Sequence, residues 1–451
     1  MPKRDGAVFT AGPITTTLIR LTLPMTFGMI GIVAFNLVDT YFVGKLGTNE
    51  LAALSFTLPV ILVVQSVALG LGVGASAVIS RAIGEGNADQ VRRLTTDSLV
   101  LALLTVLCFV IAGLLTIAPI FRFLGATEEV LPLVARYMRI WYFGVVFVVV
   151  PMIGNNAIRA TGDVKTPALI MVIAALVNTG LDPLLIFGIG PFPRLEIEGA
   201  ALATVISRAT TFSVALYVLG HRDKMLTRTI PRVRDVLRSW GRILYIGLPT
   251  AGTRIVVPLA IGYITRVVSA YGTPAVAGYG VSSRIEFFAF TVVVALGSVL
   301  MPFMGQNWGA CNHARLRLGA RSAEVLALAW GAFMFVVLAV AARPVATLFN
   351  ADPDVVATIV TYLRIVPLAY GLQGVLMVAS ASLNALNRPL HSSALALGQM
   401  FVVYVPLAML GSRLYGLAGV FGALALAYFA GGFAAHAVLG RVLGSIGKPT
   451  G

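Results

Sequence analysis

The sequence predicts an all-α polytopic membrane protein: twelve transmembrane helices arranged as two pseudo-symmetric six-helix lobes. Three observations carry that prediction. They are apolar runs of bilayer-crossing length, basic residues concentrated in alternate connections, and an internal repeat that lays the first half of the chain on the second. Of the 451 residues 58% are hydrophobic and 11% charged, against about 25% charged in an average soluble domain. A helix crosses hydrocarbon in about 20 apolar residues, whereas barrel strands alternate and leave much weaker runs.

The spans fall at 17–44, 50–80, 94–120, 130–158, 165–190, 198–220, 242–270, 275–305, 316–342, 355–382, 391–412 and 416–440. They fill the length and leave no room for a soluble domain. The opening MPKRDGAVFTAGP lacks the basic, apolar and small-residue cleavage pattern of a signal peptide, so the first helix is expected to be retained. The net charge of +15 invites a nucleic-acid reading, but its distribution decides against one. Of the 33 Lys and Arg, 21 lie at the termini and in the even-numbered connections, 5 in the odd ones and 7 within or beside spans. By the positive-inside rule both termini are cytoplasmic, in a multi-pass protein of the inner membrane. The basic 222–242 stretch then reads as a linker touching anionic headgroups. Cys108 and Cys311 have no ligand or pairing pattern and are expected to be buried thiols.

One constant shift along the chain lays Leu23-Pro24 on Leu248-Pro249, Gly72 on Gly297, Asn87 on Asn312 and Tyr137 on Tyr362. The division that follows is residues 1–220 for the N-terminal lobe, 221–241 for a basic cytoplasmic linker and 242–451 for the C-terminal lobe. Parallel repeats of this kind mark transporters whose substrate path runs between the halves.

Three acids lie well inside spans: Asp39, Asp182 and Glu286. A carboxylate there costs roughly 2.5–3.5 kcal/mol on insertion scales and is a functional candidate by default. Asn36 precedes Asp39 by three residues and Asn178 precedes Asp182 by four, so each acid shares a helix face with an amide. Such groups hold a proton in place or offer oxygens to a small hard cation such as Na⁺; the bland alternative is polar glue between helices. Glu286 follows Arg284 closely and is expected to satisfy it. Asp97 and Glu324, near cytoplasmic helix ends, are expected to be solvated or capping. Gly180 and Pro183 should weaken the helix around Asp182. The Gly70-Leu71-Gly72-Val73-Gly74 run resembles a phosphate loop only in its glycines and reads as close helix packing. No Ser/His/Asp or Cys/His constellation is visible among the four His, so the chain is not expected to be an enzyme.

LPMTFGMIGIVAFNLVDTYFVGKLGTNELAALS, GASAVISRAIGEGN, NNAIRATGDVKTP and NTGLDPLL followed by EGAALATVISR together resemble the multidrug and toxic compound extrusion (MATE) family over essentially the whole chain. The pairing of Asp39 with Asn178 and Asp182 is similar to the prokaryotic DinF-like branch, whose cation site lies in the N-terminal lobe. It departs from the NorM-like branch, because the seventh span holds no acid. The resemblance implies a V-shaped, monomeric antiporter that exports amphipathic, often cationic, drugs by alternating access. It implies H⁺ or Na⁺ as the coupling ion and no other cofactor. Thr204 resembles the family's threonine beside the aspartates, so Asp39, Asn178, Asp182 and Thr204 would be the ligands were Na⁺ to bind. Asn155 and Asn156 resemble its cavity-lining amides. Met29, Phe35, Phe56 and Met171 are nominated as adaptable apolar lining. A lipid or lipid-linked sugar flippase of the same superfamily stays open, with Arg254, Arg266 and Arg284 as its cationic residues; a channel or a membrane enzyme fits less well.

The resemblance further implies that the first helix bends at Pro24 when the carboxyl beyond it changes protonation state. Pro24→Ala is then expected to impair transport while leaving drug binding measurable; unchanged transport in that variant would sink the hinge.

Overall fold

A computed structural model describes residues 8–227, 229 and 232–446, without the side chains of 32, 34–37, 48 and 51. Among the described residues the chain is helical with short turns and no strand. The first half of the sequence forms α1 (Ile14–Gly44), α2 (Thr48–Gly84), α3 (Ala88–Phe123), α4 (Leu131–Gly144), α5 (Val146–Ala160), α6 (Lys165–Phe187) and α7 (Ile197–Tyr217). The second half forms α8 (Val233–Ser269), α9 (Thr273–Gly309), α10 (His313–Phe349), α11 (Pro353–Ile365), α12 (Tyr370–Ala385), α13 (Pro389–Leu397) and α14 (Val405–Ser445). Helices α4 and α5 make one span bent by 42°. The stretch Pro389–Ser445 makes two, since it breaks at Tyr415 and at Gly416, whose φ of 60° suits glycine. Counted with α1, the described residues give twelve crossings. On α3, Leu103, Leu107, Ile111 and Leu115 stand exposed at four-residue intervals, the stripe a helix offers to lipid. Cys108 lies on that outward side and Cys311 in a turn, so both thiols are exposed rather than buried.

The repeat is written into the backbone. Gly86 and Cys311, equivalent positions of the two halves, are both left-handed (φ 71° and 54°), as are Gly162 and Asn387 (φ 95° and 57°). The next residue in the first pair caps the following helix each time. Asn87 Oδ1 accepts from the Gln90 amide at 3.0 Å, and Asn312 Oδ1 from the Arg315 amide at 3.2 Å. Gly72 faces Asn156, and its counterpart Gly297 faces Ala381, the position equivalent to Asn156.

Packing groups the chain into two units, Pro24–Ala251 and Met1–Leu23 with Gly252–Gly451. These boundaries differ from 220 and 242 because the first part of α8 packs with the helices before it. On α2, Gly70 and Gly74 have no side chain where Gly247 and Ile243 of α8 approach; a Cβ on Gly74 would meet the Ile243 carbonyl. In lipid, where apolar burial gives little drive, such backbone contact is what holds helices together. Trp240 Nε1 donates to the Asp97 carbonyl at 2.9 Å. The expected 221–241 linker is therefore helical from Val233 and joined to its unit. Asp97 is buried and paired with Arg93 at 2.8 Å, not solvated, and Glu324 meets His436 Nδ1 at 3.0 Å.

At the turn between α5 and α6, Asp163 accepts from the Thr166 amide at 3.0 Å, its hydroxyl at 2.6 Å and Arg222 Nη2 at 2.6 Å. Burial opposes ionisation there, but these donors outweigh it and hold the Asp163 carboxyl below the usual range.

In the other unit the segment before α1 is strapped down. The Phe9 amide donates to Gln306 Oε1 at 3.0 Å. Arg315 donates to the carbonyls of Phe9, Ala11 and Gly12 at 2.8, 2.7 and 2.8 Å. Phe9 is fully buried, edge-on to Phe303.

Gly74→Ala is expected to lower the melting temperature of the detergent-solubilised protein, overpacking costing about 1–3 kcal/mol. Gly440→Ala, where a Cβ meets nothing within 4 Å, should leave it unchanged or raise it. Equal melting of the two variants would refute the contact's role.

Candidate functional site

The site is built within Pro24–Ala251 by glycine contacts that set helix register. Gly28 of α1 lies against Ala168 of α6, and a Cβ on Gly31 would stand 3.7 Å from Val172. The two contacts share nearly the same sequence offset, so α1 and α6 run the same way. Carried along α1, that offset brings Asp39 level with the stretch of α6 that ends at Asp182. The Asp39 and Asp182 carboxyls lie within Coulombic range of each other.

Asp182 and Asn178 are fully buried, and Asn178 Nδ2 donates to Asp182 Oδ1 at 3.1 Å. The expected pairing on one face is therefore present. Helix α6 continues through Pro183 to Phe187, so the expected weakening is not a break. Pro183 still withholds the amide that would have bonded the Thr179 carbonyl. Among the described residues, three acceptor oxygens here are buried without a hydrogen-bond partner: Asp39 Oδ1, Asp182 Oδ2 and Asn178 Oδ1. Hard oxygens short of donors fit a proton or Na⁺. No group of three His, Cys, Asp or Glu that could hold another metal occurs among the described residues.

Tyr137 of α4 adds a hydroxyl that the sequence argument did not assign to the site. It is 3% exposed and within Coulombic reach of both Asp39 and Asp182. Its alignment with Tyr362 was the available signal. Thr204 is buried on α7, three residues before Ser207, whose hydroxyl donates to the Ala174 carbonyl of α6 at 2.7 Å. That tie places Thr204 near the Asn178 level of the antiparallel α6, but it makes no hydrogen bond to either carboxyl.

The lining residues are less concentrated. Asn156 is buried, presses on Gly72 and donates to its own Met152 carbonyl at 2.7 Å, which makes it a packing amide. Asn155 is buried with its Oδ1 unpartnered. Met29, Met171 and Phe56 are half-buried, Phe56 against the core of the unit. The side chains of Phe35 and Asn36 lie outside the described residues.

Glu286 does not satisfy Arg284. It accepts instead from the Tyr362 hydroxyl at 2.6 Å and the Tyr428 hydroxyl at 2.7 Å, while Arg284 is exposed.

Comparison with known proteins agrees with this architecture. The family model MatE matches residues 24–184 and again 249–410, so the second match begins at the counterpart of Pro24. A protein of Shewanella oneidensis named "FAD transporter" is 38% identical over 442 residues, 98% of this chain and 97% of that one. The "Multidrug export protein MepA" of Staphylococcus aureus (strain MSSA476) is 25% identical over 93% of this chain and 92% of its own. The crystal structure of the Vibrio cholerae MATE transporter VcmN in the bent form is 28% identical. It superposes with a TM-score of 0.91 over 96% of this chain and 97% of that one.

Asp182→Asn preserves shape while removing a charge that costs roughly 2.5–3.5 kcal/mol in a span. The variant is expected to melt as high as the wild type or higher in detergent, and to lose transport. A lower melting temperature would mark Asp182 as structural.

Proposed function

The chain belongs to the MATE family of multi-span membrane transporters, and we propose that it is a proton-coupled antiporter exporting an organic small molecule across the cytoplasmic membrane. The observation that carries this is the pair of carboxyls inside spans, Asp39 half-buried and Asp182 fully buried, each with an acceptor oxygen left unpartnered among the described residues of one unit. Two negative charges so placed are expensive without a proton or a cation. The termini face the cytoplasm. Protons reach Asp39 and Asp182 from outside, neutralise the site and release the substrate outward; the inward-facing state returns the protons and rebinds substrate. Asn178 orients the Asp182 carboxyl, and Tyr137 supplies a hydroxyl within Coulombic reach of both acids. The N-terminal placement of Asp39, Asn178 and Asp182 supports a DinF-like reading of the site.

The substrate admits two readings. The multidrug relatives support amphipathic organic cations. The greater identity to the FAD transporter supports a flavin dinucleotide, and so does Arg208 of α7, which shares a helix side with Thr204, Ser207 and Thr211 inside the span Ile197–Arg222. A guanidinium kept in a span suits charge-assisted bonds to phosphate. Energetics separate the two. Exporting a monocation against an inside-negative potential costs roughly 2.3 kcal/mol per 100 mV, whereas a dianionic pyrophosphate gains about twice that. A 100-fold gradient needs about 2.7 kcal/mol in either case.

The test is uptake into inverted vesicles of FAD and of ethidium, with acid-inside and Na⁺ gradients imposed separately. The acid-inside gradient is expected to drive uptake and Asp39→Asn to abolish it. Uptake driven by Na⁺ alone, or a normal rate in Asp39→Asn, would refute proton coupling at this site.

A further inference from the structure

The Gly252–Gly451 unit contains an intramembrane acid of its own, half-buried and set among buried phenols. Glu286 on α9 is held by Tyr362 of α11 at 2.6 Å and Tyr428 of α14 at 2.7 Å. Tyr279 of α9, Tyr370 of α12 and Tyr404, which precedes α14, stand within its Coulombic reach. All five phenols are at most 7% exposed. Phe290 and Phe421 close the shell, with ring centroids 4.7 Å from Tyr370 and 4.9 Å from Tyr362 respectively. Among the described residues no cation shares it: Arg284 of α9 and Arg364 of α11 are both exposed, and α10 directs its Glu324 to His436 of α14.

A carboxyl is a costly way to join helices in lipid when an amide would serve. This unit uses an amide elsewhere for that purpose, since Gln399 Nε2 donates to Gln373 Oε1 at 2.8 Å and to the Ala427 carbonyl at 3.2 Å. The repeat adds a second argument. Tyr137, within Coulombic reach of Asp39 and Asp182, corresponds to Tyr362, bonded to Glu286, so each half sets the same tyrosine against an acid inside a span although the acids come from different helices.

We propose that Glu286, between Tyr362 and Tyr428, is a second proton-exchanging centre, contained in this unit and acting beside the Asp39–Asp182 pair. The inference rests on the proton-coupled reading of the chain. As a carboxylate, Glu286 accepts one phenolic O–H on each oxygen. Taking up a proton gives it an O–H of its own, so the phenol on that oxygen can no longer donate along the same line and reverses its bond, accepting from the new O–H. Protonation thus exchanges charge-assisted ties from α9 to α11 and to α14 for weaker neutral ones, one of them reversed. The ligand is a proton rather than Na⁺, because both carboxylate oxygens are engaged by O–H donors and a metal ion needs several free oxygen lone pairs.

The test uses the full chain reconstituted in lipid, with Asp39→Asn and Asp182→Asn combined so that the other pair is silent. Infrared difference spectra across a pH titration report the C=O stretch of a protonated buried carboxyl. One such band is expected to titrate reversibly, to vanish when Glu286→Gln is added, and to shift to higher pH with Tyr428→Phe, which removes a donor to the charged form. In the otherwise unaltered chain, Glu286→Gln should lower the number of protons exchanged per substrate by one. A band that survives Glu286→Gln, no titrating band, or a band abolished by Na⁺ at fixed pH would each overturn the proposal. Failure of proton coupling itself reads differently, as wild-type uptake indifferent to an acid-inside gradient.

Discussion

A carboxyl group carried into hydrocarbon has to find donors, a counter-charge or a proton, and the arrangement of this protein's interior follows from that demand. In Pro24–Ala251 the answer is an amide on one oxygen of Asp182 and a tyrosine nearby, with acceptors left over. In the other unit it is a pair of phenols that occupies both oxygens of Glu286. The first arrangement leaves oxygens available to a small cation; the second leaves only the exchange of an O–H for an O–H. The difference in satisfaction, more than the shared presence of an acid, separates the two centres chemically.

Neither arrangement could form without the small residues that set helix register. Gly28 and Gly31 let α1 lie along α6 at a fixed offset, and that offset, not any attraction between two like charges, brings Asp39 to Asp182. Close backbone approach is rigid to a fraction of an ångström, so the charged site inherits its geometry from apolar contacts several turns away.

This division of labour explains what the sequence could reveal. Span number and the repeat were legible because they rest on period and charge, which are local or alignable properties. The pairing of Asn178 with Asp182 was legible because four residues on a helix is a distance. The partner of Glu286 was not. Arg284 was near in sequence, while Tyr362 and Tyr428 are 76 and 142 residues away and reach it only through packing. The packing units differ from the division read off the basic stretch for the same reason: that stretch after α7 is conspicuous, yet glycine contacts at Gly70 and Gly74 join the start of α8 to the helices before it.

Those boundaries give α1 a mechanical character that composition alone would not suggest. The helix begins in one unit, where Arg315 holds the carbonyls just before it, and enters the other at Pro24. Proline already lacks the amide that would bond the carbonyl four residues earlier, so bending at this point sacrifices no hydrogen bond that a straight helix would keep. Pro249, its counterpart in the second half, stands at the matching position of α8, just before the other crossing at Ala251. A proton on Asp39 changes the charge at one end of a helix whose other end is strapped to different partners. On the proposed proton-coupled reading, a bend costs least at the residue where the helix's own hydrogen bonding is already interrupted.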